Sequence, residues 1–142
     1  MTLAKGLANG LPIGCLLVAD EAAGAFVTGD HASTFGGNPV SCAAACAVVD
    51  AITEGVLARV QASGKQLLDG LATLPGVVET RGAGLLAAAE LDRPSGPVVT
   101  AALEASLLVT SAGEQVLRLT PPLVVSPEEI DRALEILAEV LR

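Results

Sequence analysis

Asn38-Pro39 can cap and open a helix, and the alanine-dense run from Val40 reads as helical to about Leu74, where Pro75-Gly76 ends it. A break is expected at Gly55 or Gly64. So long a helical run divides the chain into two parts of different character. Before it, Pro12 to Val18 is a short apolar run suited to a strand buried on both faces. After it, β-rich runs at Val77–Arg81, Gly84–Leu91, Leu107–Thr110 and Val116–Thr120 alternate with helical stretches, the pattern of a small α/β layer domain. Ser126-Pro127-Glu128-Glu129 has the form of a capping box. Beyond it Ile130, Leu134, Leu137 and Leu141 share one helical face that should cover a sheet, and Glu128, Asp131, Glu135 and Arg142 face outward.

The chain has 142 residues, of which 51% are apolar and 17% charged, enough for a real core and too few charges for a disordered segment. Its only aromatic residues are Phe26 and Phe35, so packing must rest on Ala, Val, Leu and Ile. That deficit fits a piece whose companion segments carry the rings, or an alanine-rich proteome. A net charge of −8 argues against a nucleic-acid partner, because eight Lys and Arg among sixteen acids form no basic stripe. No secretory leader and no uninterrupted apolar run long enough for a bilayer are read, so the expectation is a cytoplasmic chain with no membrane partner. Cys15, Cys42 and Cys46, with His31 as the sole histidine, do not compose a zinc site, and buried, reduced thiols are expected.

Two amines are available, Lys5 and Lys65. Lys65 lies in a polar helical stretch and reads as a solvated charge. Lys5, in Thr2-Leu3-Ala4-Lys5-Gly6, sits among small residues just ahead of an apolar strand, where its side chain can project into a pocket and attack an aldehyde carbon. On these residues alone a snorkelling lysine beside a strand is the favoured reading. Ser33-Thr34 followed by Gly36-Gly37 offers hydroxyl donors and uncovered N–H groups near the helix that begins at Pro39, an arrangement that favours an anion but also makes ordinary turns. An amine for an aldehyde together with a cradle for a phosphate suggests pyridoxal 5′-phosphate. Arg118, hemmed by apolar neighbours in Val116-Leu117-Arg118-Leu119-Thr120-Pro121-Pro122, is either a two-bond clamp for a carboxylate or an edge-strand cation facing water.

Two further motifs fail on context. Gly82-Ala83-Gly84-Leu85-Leu86-Ala87 satisfies a dinucleotide pattern, but Pro94 closes the next segment too soon for the required helix. Ser63-Gly64-Lys65 lacks both the first glycine and the hydroxyl residue of a phosphate-binding P-loop, with Arg59 and Gln66 in those places.

The Thr2-x-Ala4-Lys5-Gly6 context, the loop Gly29-Asp30-His31-Ala32-Ser33-Thr34-Phe35-Gly36-Gly37-Asn38-Pro39, Arg81-Gly82-x-Gly84-Leu85 and the proline pair after Arg118 closely resemble class III aminotransferases. The wording of the loop is most similar to that of the acetylornithine aminotransferase family. The resemblance runs through nearly the whole chain. It implies the C-terminal part of a fold-type I pyridoxal-phosphate-dependent transferase: residues 1–74 as the end of the large cofactor domain, residues 75–142 as the small α/β domain. It further implies that Lys5 is the catalytic, cofactor-binding lysine. Thr34 then reaches the cofactor phosphate of the neighbouring subunit in a homodimer, Ser33 lies against the substrate, and Arg118 meets its α-carboxylate. His31 takes no role from it. The implied reaction passes an amino group from N-acetylornithine, or a similar small-molecule amino acid, to 2-oxoglutarate in arginine synthesis. Ornithine, succinylornithine and 4-aminobutyrate enzymes are close neighbours. Asn9 and Ser106 depart from glycines common in the family, and the ring-stacking aromatic, the phosphate turn and the aspartate that pairs with the pyridinium nitrogen are not found among these residues. A catalytically incomplete interaction fragment is the competing expectation.

Overall fold

The computed structural model describes residues 1–142, which divide by their contacts into two compact units, 1–55 and 56–142. In the first unit β1 (Thr2–Leu3) pairs antiparallel with β2 (Cys15–Leu16), Leu3 opposite Cys15. A 3₁₀ turn over Lys5–Ala8 follows β1, another spans Asp20–Ala25, and α1 runs over Pro39–Ala51. The Lys5–Ala8 turn packs on α1, and the buried residues of these two elements are all small: Ala8, Ser41 and Ala45.

Two expectations fail in this unit. The apolar run from Pro12 supplies only a two-residue strand, and Leu16, Leu17 and Val18 are exposed, because β1 is the only strand that pairs with it and no layer covers either face. The thiols are free, but Cys15 and Cys46 are exposed and Cys42 half-buried. Neither aromatic residue joins a core, with Phe26 and Phe35 both exposed.

The break in the long helical run falls at Gly55, whose φ of 121° lies outside helical space and in a region that a side chain disfavours. Counted through that break, Pro39–Ala72 spans 34 residues with an 18-residue window of mean hydropathy 1.7, long and apolar enough by composition alone to cross a bilayer. That corrects the expectation of no such run. The kink nevertheless leaves separate helices of 13 and 16 residues, each shorter than the roughly 20 that a bilayer span requires.

The second unit begins with α2 (Leu57–Ala72), followed by β3 (Val77–Ala83), β4 (Leu86–Leu91), α3 (Ser95–Glu104), β5 (Thr110–Ser111), β6 (Val116–Leu119) and α4 (Pro127–Val140). The unit is thus a mixed α/β layer structure. The strands form one antiparallel sheet in the order β3-β4-β6-β5. Alternation decides which side chains face the helices: Ala87, Ala89 and Leu91 of β4 and Leu117 and Leu119 of β6 are buried, whereas Arg118 between them is exposed. Leu67 and Leu71 of α2, Val98 and Ala102 of α3, and Ile130, Leu137 and Leu141 complete a core without a single aromatic ring.

The last helix starts as its sequence dictates, with the Ser126 hydroxyl accepting from Glu129 N–H at 3.2 Å and the Glu129 carboxylate accepting from Ser126 N–H at 2.8 Å. It packs on α2 and α3, and Gln66 of α2 donates to the Asp131 carboxylate at 2.7 Å and to the Pro127 carbonyl at 3.1 Å.

The expected strand at Leu107–Thr110 pairs only from Thr110, because Leu107 is still engaged in ending α3. Its N–H donates to Ala102 O at 2.8 Å and that of Ser106 to Leu103 O at 3.0 Å, a Schellman closure with Ser106 held at φ 64°. Asn9, at φ 49°, closes the Lys5–Ala8 turn in the same left-handed region, so both departures from family glycines stand where glycine is least strained. Asn tolerates that region better than Ser. Ser106→Gly is therefore expected to stabilise the chain by about 1 kcal/mol, the relief of left-handed strain exceeding glycine's extra chain entropy. The check is a higher urea midpoint at unchanged denaturant slope.

Candidate functional site

Lys5 follows β1 directly and opens the 3₁₀ turn with φ 55°, a left-handed backbone that a lysine rarely adopts. Such a conformation persists only where neighbouring structure imposes it; here β1 precedes the turn and the buried Ala8 ends it. The side chain is exposed rather than enclosed by the expected pocket. The five ion pairs of the chain do not include it, whereas Lys65, the other lysine, is paired with Asp69.

Ser33 and Thr34 lie in the same unit, exposed, on the loop that leads into α1. The positive end of α1 is less open than its sequence suggests. Asn38 caps it by accepting from Ser41 N–H at 2.9 Å, and its own amide donates to Phe35 O at 3.1 Å. With Pro39 lacking an N–H, the helix itself offers an anion little more than Val40 N–H. The loop offers more. The backbone N–H groups of Thr34, Phe35, Gly36 and Gly37 find no acceptor within the chain, and Gly36 and Gly37 add no side chain over theirs. His31 sits edge-on to Phe26 with ring centroids 4.5 Å apart, an internal loop contact.

Arg118 belongs to the second unit. Cross-strand register places Arg81, Ala88, Arg118 and Thr110 in one row across the open face of the sheet, from β3 through β4 and β6 to β5. The two cations of this row differ. Arg81 is held by Glu90 at 2.8 Å and Glu79 at 3.4 Å, and the Glu90 hydrogen bond, followed by the Glu79 charge, raises its guanidinium above the ordinary arginine range. Arg118 forms no ion pair and lines a cavity of about 590 Å³ together with Leu67, Thr110, Leu119, Ile130 and Glu129, whose carboxylate is already engaged by the Ser126 N–H. A cation beside apolar walls suits a carboxylate attached to a short carbon chain.

Comparison with known proteins shows the family to which the chain belongs. The family described as Aminotransferase class-III matches residues 1–141, and the chain belongs to it. Acetylornithine aminotransferase 1 of Bordetella bronchiseptica is 50% identical over 147 aligned residues, which take in 100% of this chain and 37% of that protein. The acetylornithine aminotransferase of Caldanaerobacter subterraneus is likewise 50% identical, with 99% of this chain and 37% of that protein aligned. Among solved structures, the ornithine aminotransferase of Toxoplasma gondii superposes with a TM-score of 0.86 at 31% identity over 99% of this chain and 36% of that one. The acetylornithine aminotransferase of Elizabethkingia anophelis gives 0.85 at 28% identity, covering 99% and 39%. A second structure of the Toxoplasma enzyme is described as having partial occupancy of pyridoxal phosphate at its active site. The fold is thus that of fold-type I, pyridoxal-phosphate-dependent aminotransferases. The chain spans little more than a third of the length of these relatives.

Sequence reasoning singled out Lys5, Ser33, Thr34 and Arg118 through their motifs. It did not single out Thr110, whose place beside Arg118 carries no signal until the register between β5 and β6 is known.

Proposed function

We propose that the chain is the C-terminal part of an aminotransferase that moves the amino group of N-acetylornithine to 2-oxoglutarate in arginine synthesis, acting in the cytoplasm as a homodimer. In that reading residues 1–74 end the large cofactor domain and residues 75–142 form the small one. The observation that carries it is 50% identity to acetylornithine aminotransferase 1 along the entire chain, with an unpaired Lys5 held at φ 55° at the head of a turn. The residues present fit pyridoxal phosphate in kind: an uncommitted amine for its aldehyde, and a loop of hydroxyls and unsatisfied N–H groups for its phosphate. When bound, the cofactor supplies an electron sink that lets a carbon bearing nitrogen lose a proton.

Each residue then has a task of its own. Lys5 is the residue that would hold the cofactor through its aldehyde carbon, and its Nζ is placed to carry a proton. Thr34 would donate its hydroxyl to the cofactor phosphate of the neighbouring subunit, and Ser33 would lie against the substrate. Arg118 binds the substrate's carboxylate with two N–H groups, which orients the amine without taking part in bond breaking. The exposed apolar side chains Leu108 and Val124, which line the same cavity as Arg118, and Phe35 and Val40 in the first unit would be covered by the remainder of the longer protein.

The test is a joined protein in which this chain replaces the matching region of the Bordetella bronchiseptica acetylornithine aminotransferase 1. It is expected to take up pyridoxal phosphate with visible absorption and to turn over N-acetylornithine. Subunits carrying Lys5→Ala and subunits carrying Thr34→Ala, inactive separately, should regain activity on mixing, because some heterodimers then hold one intact site. Absence of recovery with both variants folded and dimeric rules out a loop that acts across the interface. The Toxoplasma gondii likeness favours a second reading, ornithine as the amine. A higher kcat/KM for ornithine than for N-acetylornithine in the joined protein would establish it.

A further inference from the structure

Arg118 is held by one neutral residue. Its Nε donates to the Thr110 hydroxyl at 3.2 Å, and the same hydroxyl donates to the Arg118 carbonyl at 3.4 Å, so one side chain grips both the guanidinium and the backbone of its cross-strand partner. A hydroxyl can accept and donate at once, and the contact leaves the positive charge uncompensated. Because the guanidinium is planar, fixing Nε fixes the plane and commits the edge that contains Nε, and the outer edge formed by the two terminal nitrogens stays free. Neither of those nitrogens has an acceptor in the chain, in contrast to Arg81 in the same row, whose terminal nitrogen is taken by Glu90 at 2.8 Å.

The strand that carries Thr110 is itself anchored. The Ser95 hydroxyl at the head of α3, 1% exposed, lies 2.9 Å from the Ser111 hydroxyl and 3.1 Å from the Glu114 carbonyl, and Ser95 N–H donates to Glu114 O at 2.8 Å. β5 is only two residues long, so this buried contact gives Thr110 a fixed base that strand pairing alone would not.

We propose that Thr110 is a positioning residue that presents the outer edge of Arg118 to the substrate's carboxylate. The inference rests on the reading of Arg118 as the carboxylate anchor and goes beyond it by assigning the group that sets the anchor's orientation. Losing the hydroxyl costs one hydrogen bond to a charged group and frees the guanidinium to turn.

In the joined protein loaded with cofactor, Thr110→Val is compared with Thr110→Ser and Arg118→Ala. Thr110→Val is expected to raise KM for N-acetylornithine roughly three- to tenfold with kcat changed less than about twofold, a part of the more than about tenfold that one hydrogen bond to a charged group is worth, because the loosened guanidinium still meets the carboxylate. It should weaken binding of glutarate, a dicarboxylate without an amine, by the same factor in titration calorimetry. Thr110→Ser, which keeps the hydroxyl, should restore both values. If Thr110→Val leaves KM and glutarate affinity unchanged while Arg118→Ala raises both, the positioning role is wrong and the anchor stands. If Arg118→Ala changes neither, anchor and positioning role fall together. A Thr110→Val protein that loses kcat and cofactor affinity along with KM would show general distortion of the site, which also overturns the proposal.

Discussion

Lys5→Ala is expected to abolish the visible absorption that pyridoxal phosphate acquires on attachment to the joined protein, and to lower amino-group transfer about 10²- to 10⁴-fold, the range for loss of a positioned proton-transfer group. Loss of the nucleophile adds to that deficit, because no other amine occupies its place. Lys65 is the natural control. It is the only other lysine, it lies in a different unit, and its ammonium is already paired with Asp69 one helical turn away. Lys65→Ala should leave absorption and turnover within about twofold of the parent, since an exposed pair of this kind is worth little. The left-handed backbone at Lys5 makes a second variant informative. Lys5→Gly would relieve the strain and still remove the amine, so it should match Lys5→Ala in activity while being more stable.

Gly64→Ala is expected to destabilise the second unit by about 2 kcal/mol, although it improves the helix propensity of α2. A β-carbon built on Gly64 would lie 2.3 Å from the Gly84 carbonyl oxygen and 2.5 Å from its carbon, both backbone atoms of the β3–β4 turn. Backbone cannot rotate aside as a side chain can, so helix and hairpin must separate at their closest approach. Overpacking of that kind costs about 1–3 kcal/mol or more, against a gain of about 1 kcal/mol for replacing glycine inside a helix. The steric effect decides the sign. Urea denaturation followed by far-ultraviolet circular dichroism measures it as a lower midpoint, and an unchanged or higher midpoint would mean that α2 and the hairpin are not so closely packed. Gly64→Leu should be worse still.

These two sites also show what is legible in such a sequence. Gly55 and Gly64 both stood out as candidate breaks in one helical run, yet only Gly55 breaks it. Gly64 serves a close approach to a residue twenty positions later. Local propensity cannot separate the two roles, because the approach depends on where the hairpin folds back. Ends fixed by local chemistry were readable: Asn38-Pro39 opens α1, Ser126 to Glu129 opens α4, and the alternation around Arg118 places it on the open face of β6.

Features that depend on partners distant in the chain were not readable. The apolar run at Pro12–Val18 reads as a doubly buried strand, but burial requires neighbours on both faces, and within these residues it has one two-residue partner. The left-handed Lys5 gives no sequence signal at all, since lysine has no preference for that region. Asn9 and Ser106 did leave a trace. Each stands in place of a glycine, and each has positive φ. The Thr110–Arg118 contact required the register between β5 and β6, which the residues joining those strands do not specify by themselves.

The central claim is that Lys5 is the group through which this chain engages the cofactor. Borohydride reduction of the cofactor-loaded joined protein, followed by proteolysis and mass spectrometry, fixes the cofactor to whichever amine holds it. A pyridoxyl mass on the peptide that contains Lys5, and none on the peptide that contains Lys65, is the predicted result. A labelled Lys65 peptide, or a Lys5 peptide recovered unmodified from protein that had shown the cofactor's bound absorption, would contradict the account.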